Sequence, residues 1–225
     1  PPLRIALVGN PNSGKTALFN QLTGSRQKVA NYAGVTVERK AGRLTTPAGR
    51  AVQVLDLPGT YSLNATSPDE AVTRDVCRGI YKGEPAPDLI VSVLAATNLR
   101  LHLRFALELR QLGRPMIMVL NMIDAVRRQG LEIDIPRLQA ELGVPVVTAI
   151  GVKRGGAADI LRVLDEPIPP APAPLPEGAD LHAEVRRLMA LCVQRSSERH
   201  PQLDATLDRW VLHPVWGMLI LLVLL

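Results

Sequence analysis

Residues 9–16 read Gly9-Asn10-Pro11-Asn12-Ser13-Gly14-Lys15-Thr16, a G-x-x-x-x-G-K-T pattern. This spacing folds a loop whose backbone N–H groups turn inward around a chain of phosphates. Gly9 and Gly14 permit the tight turn, and the positive end of a following helix adds to the field. Lys15 offers a mobile ammonium to the β- and γ-phosphates, and Thr16 offers a hydroxyl to Mg²⁺. The pattern carries weight only between a strand and a helix. Leu3 to Val8 is an apolar run that reads as a buried strand, and Thr16 to Leu22 reads as a helix. In that setting a glycine-rich turn with an unrelated lysine is the weaker reading.

Two further patterns lie downstream at strand ends. Asp56-Leu57-Pro58-Gly59 is a D-x-x-G in which the strand read over Arg50 to Leu57 ends. At the carboxyl end of a strand in an α/β sheet, such residues face the ligand crevice. Asp56 can hold Mg²⁺, through a water, and the Gly59 N–H can reach a γ-phosphate. Alone, Asp and Gly would be ordinary turn residues. Asn121-Met122-Ile123-Asp124 is an N-x-x-D after Met116 to Leu120. A carboxylate there can accept from N1–H and the 2-amino group of guanine, donors that adenine lacks, and such a site rejects the wrong partner by roughly 10⁴ or more. The plain alternatives are a strand-ending asparagine and a helix-capping aspartate. The order of all three patterns favours a nucleotide site.

The elements that must position these residues alternate. Ser25 to Gly34 is polar and aperiodic and reads as a mobile loop, and the alternation over Val35 to Lys40 reads as a half-exposed strand. A turn at Thr45 to Gly49 makes a hairpin with Arg50 to Leu57. Ser67-Pro68-Asp69-Glu70 is a capping box, so a helix is expected to about Tyr81. Strands follow at Asp88 to Leu94, Met116 to Leu120 and Val144 to Ile150, with helices at Thr97 to Leu112, Asp134 to Leu142 and Ala157 to Leu164. This alternation predicts an α/β fold, a mainly parallel sheet with helices on both faces. Pro167 to Pro176 holds six prolines and reads as an extended linker. Beyond it, Asp180 caps a helical pattern in which Leu181, Val185, Leu188, Cys192 and Val193 share a face, best read as packing against a neighbour. Pro201 opens a second pattern that runs into an apolar tail.

Composition sets bounds. The chain has 225 residues, 47% apolar, enough for one ordinary domain and an appendage. A formal charge of +5 suits RNA or the anionic inner face of a membrane, and plain solubility equally. Cys77 and Cys192 form no CxxC, so a reducing compartment is expected. Cys77 reads as a small buried residue. His102, His182, His200 and His213 lack metal-ligand spacing and read as structural or solvated. A strand pattern begins almost at once, so no signal peptide is expected. Val215 to Leu225 carries no charge. It is shorter than the ~20 residues a span needs, and it reads as the start of a first transmembrane segment cut short.

The three motifs in this order resemble a Ras-like P-loop GTPase domain. Their wording is narrower: GNPNSGKT, NYAGVTVERK, DLPGTYSL with SPDE behind, and NMID are similar to the cytosolic N-terminal part of the ferrous iron transport protein B family. The resemblance runs to about Leu164. It implies a guanine-nucleotide domain over 1–166, a linker over 167–177, a small all-helical spacer or dissociation-inhibitor domain over 178–210, and a membrane segment from 211–225. The implied function is a slow, K⁺-stimulated GTPase regulating an inner-membrane Fe²⁺ transporter from the cytoplasmic face. The membrane region of the same protein is the implied partner, with a homo-oligomer and a small cytosolic iron-transport protein as further candidates, and no nucleic acid.

By the same likeness the nucleotide contacts are Asn10, Asn12, Ser13, Gly14, Lys15, Thr16, Ala17, Asp56, Gly59, Asn121, Met122, Asp124, Ile150, Gly151 and Val152. Switch I is Gly34, Val35 and Thr36. Mg²⁺ would be held by Thr16, Thr36 and Asp56, and K⁺ by Asn12 with the carbonyls of Ala30 and Tyr32. Lys15, Asn12 and Thr36 would serve hydrolysis. The sequence departs from the family twice: Ile150-Gly151 stand for its usual serine–alanine pair, and Ala95 for a common aspartate. Where many such enzymes carry a glutamine after D-x-x-G, this chain has Thr60. Two other classes compete. One is a soluble RNA-associated GTPase of ribosome or tRNA maturation, against which stand an aromatic content of 3%, no RNA-module signature and the apolar tail. The other is a nucleotide-binding switch with negligible turnover.

Overall fold

The computed structural model describes residues 1–24, 27–176 and 178–195. Seven strands form one sheet: β1 (Leu3–Gly9), β2 (Gln27–Asn31), β3 (Glu38–Thr45), β4 (Ala51–Asp56), β5 (Leu89–Ala95), β6 (Met116–Asn121) and β8 (Val146–Ala149). Between the last two lies β7 (Leu131–Ile133). The spatial order is β2-β3-β4-β1-β5-β6-β8. Only β3 runs against its neighbours; the other pairings are parallel. Central strands β5 and β6 are buried at every position, as expected where helices cover both faces.

Two apolar cores result, one per face. Helices α1 (Lys15–Thr23) and α6 (Ala158–Asp165) bring Leu18, Phe19, Leu22, Ile160 and Leu164 onto one face. On the other face lie α2 (Pro68–Arg78), α3 (Leu99–Arg110), α4 (Ile123–Arg128) and α5 (Ile135–Leu142). The expected cap of α2 is present: the Ser67 hydroxyl accepts from Glu70 N–H at 3.3 Å, with Pro68 in the first turn. The Glu70 carboxylate reaches back to Thr66 N–H at 2.8 Å. Hydrogen bonds from Thr66 hold that carboxyl below its usual range. Gly79, left-handed at φ 75°, ends the helix.

Three features depart from the expected elements. The stretch read as a mobile loop contains β2, which pairs antiparallel with β3 from Gln27↔Gly42 to Asn31↔Glu38. Strand β3 begins at Glu38, not Val35, because residues 32–37 form the turn that joins the two, closed by Tyr32 N–H to Val37 O at 2.9 Å. Helix α4, which begins inside N-x-x-D, and β7 lead from that motif to α5, each too short for a periodic signal.

After the prolines comes α7 (Leu181–Cys192), capped by the Asp180 carboxylate, which accepts from His182 N–H at 2.8 Å. As expected, the face carrying Val185, Leu188 and Cys192 is buried, packed against α3 and α5. Arg187 adds an ion pair to Glu141 at 2.7 Å. Val193 lies past the helix, in β9 (Val193–Arg195), which pairs antiparallel with β7. No helix among the described residues is long and apolar enough to cross a membrane. The pattern from Pro201, His200, His213 and the apolar tail lie outside the described residues.

Candidate functional site

The phosphate loop leaves the carboxyl end of β1 and enters α1, as its pattern requires. Gly14 caps α1 at φ 80°, and a Cβ there would run into the Asn121 amide, so glycine is demanded twice over. Asn12 is also left-handed, φ 63°, and exposed. Lys15 is buried and its ammonium pairs with the Asp56 carboxylate at the end of β4. Burial pushes the Asp56 pKa up, and the Lys15 charge opposes that. The two groups expected to meet phosphate and Mg²⁺ thus neutralise each other. Thr16 presents its side chain at the exposed start of α1, and Ala17 is half-buried beside it. Asn10 Nδ2 and Ser13 Oγ are buried with no protein partner among the described residues.

The base side is tied together by one side chain. Asn121, 2% exposed at the end of β6, donates from Nδ2 to Ser13 O at 3.0 Å and accepts at Oδ1 from Gly151 N–H at 2.9 Å. It therefore joins the phosphate loop to the exit loop of β8. Met122 takes a left-handed turn, φ 62°, that places Asp124 in the first turn of α4. Asp124 Oδ2 accepts from Arg128 Nη1 at 2.9 Å on the partly exposed rim. Ile150 is half-buried, and Val152 is 91% exposed. A Cβ on Gly151 would meet Leu18 Cγ at 3.2 Å, which gives a packing reason for glycine at this departure from the family pattern. The backbone N–H at that position is the one that Asn121 uses.

The γ-phosphate side is looser. Gly34 (φ 82°), Val35 and Thr36 form an exposed bend. No hydrogen bond joins Thr36 to Thr16 or Asp56 among the described residues. Ala30 sits in β2 opposite Arg39. The Tyr32 carbonyl accepts from Val35 N–H at 3.3 Å, and its ring is buried edge-on against Tyr81 at 5.3 Å. The structure does not bring Asn12, Ala30 and Tyr32 together through any hydrogen bond among the described residues.

D-x-x-G lies against the phosphate loop. Thr60 N–H donates to Gly9 O at 3.2 Å, and a Cβ on Gly59 would stand 3.2 Å from Pro11 N. Thr60 is 1% exposed, and its hydroxyl lies 2.8 Å from Ser62 O and 3.2 Å from Glu70 Oε1. It is turned into the loop and toward the start of α2. Three partners of this loop had no sequence signal as such. Glu70 reads only as a cap. Thr73 donates to Pro58 O at 3.0 Å, and Glu108 on α3 accepts from Ser62 and Leu63.

The remaining candidates are structural. His102 Nδ1 accepts from Ala95 N–H at 3.0 Å, and burial pushes its pKa down. Thus the ring is neutral, and it occupies the backbone group of Ala95, the second departure. His182 is solvated. Burial pushes the Cys77 thiol up to about 12, so it is inert. No group of three metal-binding side chains of the His, Cys, Asp and Glu types occurs among the described residues.

Comparison with known proteins agrees with this geometry. Residues 3–164 match the family model described as ferrous iron transport protein B. The chain is 45% identical to the Fe(2+) transporter FeoB of Escherichia coli (strain K12) over 164 residues, covering 72% of this chain and 21% of that protein. The corresponding protein of Salmonella typhimurium is 44% identical over the same length, with the same coverage. Among solved structures, a GDP-bound mutant of the S. thermophilus FeoB G-domain is 41% identical, with a TM-score of 0.64, covering 72% of this chain and 59% of that one. The cytosolic domain of L. pneumophila FeoB is 26% identical with a TM-score of 0.75, covering 85% of this chain and all of the other. The T. maritima cytosolic domain in a GDP form is 35% identical with a TM-score of 0.70, covering 84% and 73%. The chain spans about a fifth of the length of the curated relatives it matches. With its motifs, its Ras-like sheet and these likenesses, the chain belongs to the ferrous iron transport protein B family, of which it matches the N-terminal G-domain region.

Proposed function

We propose that this chain binds guanine nucleotides, hydrolyses GTP slowly, and so regulates Fe²⁺ passage through a membrane region of the same protein, from the cytoplasmic face of an inner membrane. The observation that carries the reading is the Asn121 bridge. It holds the phosphate loop and the base-side loop in one fixed relation, with Asp124 one turn away to meet a guanine edge. The iron and membrane parts rest on the relatives' names; in this reading 1–166 is the nucleotide unit, 167–177 the linker, 178–210 the spacer and 211–225 the start of a span. Nothing in the comparisons favours an RNA-associated role.

The nucleotide set stands as proposed above: Asn10, then Asn12 to Ala17, Asp56, Gly59, Asn121, Met122, Asp124 and Ile150 to Val152. The Mg²⁺ set is all oxygen, the donor type a hard dication takes. Thr16 and Asp56 would hold the ion, and Thr36 would join when switch I closes on a triphosphate. The bound ion supplies charge neutralisation at the phosphates. When phosphate arrives, Lys15 exchanges Asp56 for it, which frees the carboxylate for the metal. Thr60 offers no glutamine-like arm, so turnover is slow. Negative charge develops between the β- and γ-phosphates; Asn12, with the carbonyls of Ala30 and Tyr32, would hold K⁺ to offset it once switch I has moved.

The test is steady-state turnover of the full chain with GTP and ATP, in K⁺ and in Na⁺ at equal ionic strength. GTP should be hydrolysed and ATP not, with a faster rate in K⁺ that Asn12→Ala abolishes. No turnover of GTP in either salt would leave a binding-only switch. Equal rates in the two salts would remove K⁺ alone.

A further inference from the structure

Glu108 lies on α3, outside all three sequence motifs, yet the residue is 8% exposed and its carboxylate is committed to the loop after D-x-x-G. Oε2 accepts from Ser62 Oγ at 2.8 Å and from Leu63 N–H at 2.7 Å, and Oε1 is 3.3 Å from Arg104 Nη2. A buried carboxylate that accepts a backbone N–H and a hydroxyl makes strong, directional bonds. Its support is rigid. Leu103, Phe105, Ala106, Leu107 and Leu109 of α3 are each no more than 1% exposed, and the helix is packed between the sheet and α7. The peg therefore cannot follow a moving loop.

The loop is held at four places, one of them in its middle, where Thr60 N–H donates to Gly9 O at 3.2 Å. Its start is fixed by the Leu57 N–H to Leu7 O bond at 3.1 Å beside β1. Pro58 O accepts from Thr73 Oγ at 3.0 Å. Its far end is fixed by Glu108. Between lie Gly59, Thr60 and Tyr61, so whatever this loop offers a γ-phosphate comes from three residues. Thr60's hydroxyl is turned toward Ser62 O and Glu70. A short segment with both ends pinned has few arrangements, and its aim depends on where the pins are.

We propose that Glu108 is a positioning residue for GTP hydrolysis: from α3 it pins Ser62 and Leu63 and so sets the position of Gly59–Tyr61 against the triphosphate. The proposal rests on the GTPase reading above. Glu108 lies outside the proposed nucleotide and metal sets; it acts through Ser62 and Leu63. Misplacement of a reacting arrangement by about 1 Å can cost on the order of 10²-fold, whereas GDP, which has no γ-phosphate, makes no use of this loop's position.

The experiment compares wild type, Glu108→Ala, Glu108→Gln and Ser62→Ala as full chains, with kcat and KM for GTP and Kd for GDP. Glu108→Ala should lower kcat by about 10- to 100-fold with GDP affinity within about twofold of wild type. Glu108→Gln keeps one carbonyl oxygen for both donors and should recover most of that loss. Ser62→Ala removes one of the two bonds without touching α3 and should fall between, so the proposal remains testable if Glu108→Ala does not fold. Unchanged kcat in Ser62→Ala and Glu108→Ala, or a loss of GDP affinity in step with kcat, would overturn the proposal. A wild type that hydrolyses no GTP would instead defeat the GTPase reading.

Discussion

The two ends of the nucleotide site are built differently. On the base side, a buried asparagine bonds to both loops, and the chain around it is fixed at Ser13, Met122 and Gly151. On the γ-phosphate side, Gly34 to Thr36 are exposed in a bend, and Thr36 makes no hydrogen bond to Thr16 or Asp56 among the described residues. The middle is poised between, because Lys15 and Asp56 satisfy each other. On the proposed reading, a diphosphate finds the base-side groups in place and needs only Lys15 to exchange Asp56 for phosphate. On the same reading, a triphosphate also requires switch I to move. That difference in preorganisation is what lets a nucleotide domain report on one phosphate.

The comparison breaks most severely at the middle. Lys15→Ala should cost about 2–5 kcal/mol of nucleotide affinity, the range for removing one member of a buried charge pair, and should weaken GDP and GTP alike in calorimetry. Asp56 is left buried without its partner in that variant, so a thermal melt must show that the fold survives.

Next comes the base side. Asp124→Asn keeps one acceptor oxygen and loses one of the two charge-assisted hydrogen bonds proposed to guanine, about 1.5–3 kcal/mol, and should weaken both guanine nucleotides while improving xanthine nucleotides, whose added carbonyl meets the amide. An unaltered base preference would take Asp124 out of the site.

Smaller, and confined to the other end, is Thr36→Ala. It should slow GTP turnover by about tenfold, the scale of one lost ligand bond of about 1.4 kcal/mol, while GDP affinity stays within twofold. Equal losses with both nucleotides would make the two ends alike.

The smallest effect lies behind the site. His102 is held neutral by burial while it accepts the Ala95 N–H. An unfolded histidine takes up a proton below about pH 6.5. Between that pH and its lower folded value the unfolded chain binds more protons, so stability falls as pH falls. His102→Gln keeps an acceptor and does not titrate. Its melting temperature should drop less than wild type's between pH 7.5 and 5.5; parallel drops would free His102 of the role.

What the sequence made legible is what is short-range. The phosphate loop, D-x-x-G and N-x-x-D each end an apolar strand, and each lies where its strand sends it. The capping box of α2, the Asp180 cap and the apolar face of α7 were likewise readable from spacing. Strand β2 was not, because Gln27 to Asn31 is an edge strand that buries almost nothing; its order comes from backbone pairing to β3. Glu108 was invisible for another reason: it acts on Leu63, 45 positions away, and a glutamate on a charged helix face carries no sign of that. The short α4 and β7 fell below any period. The Lys15–Asp56 pair joins two motif residues, but nothing in either motif says that they neutralise each other.

The most direct test is amide hydrogen exchange of the full chain, resolved by residue, in three states: without nucleotide, with GDP, and with a non-hydrolysable GTP analogue and Mg²⁺. The Gly151 amide, bonded to Asn121, should be protected in all three, and Val35 and Thr36 only with the triphosphate analogue. Fast exchange at Gly151 without nucleotide, or equal protection of Thr36 by GDP and the analogue, would contradict the distinction between a prebuilt base side and a γ-phosphate side assembled on demand.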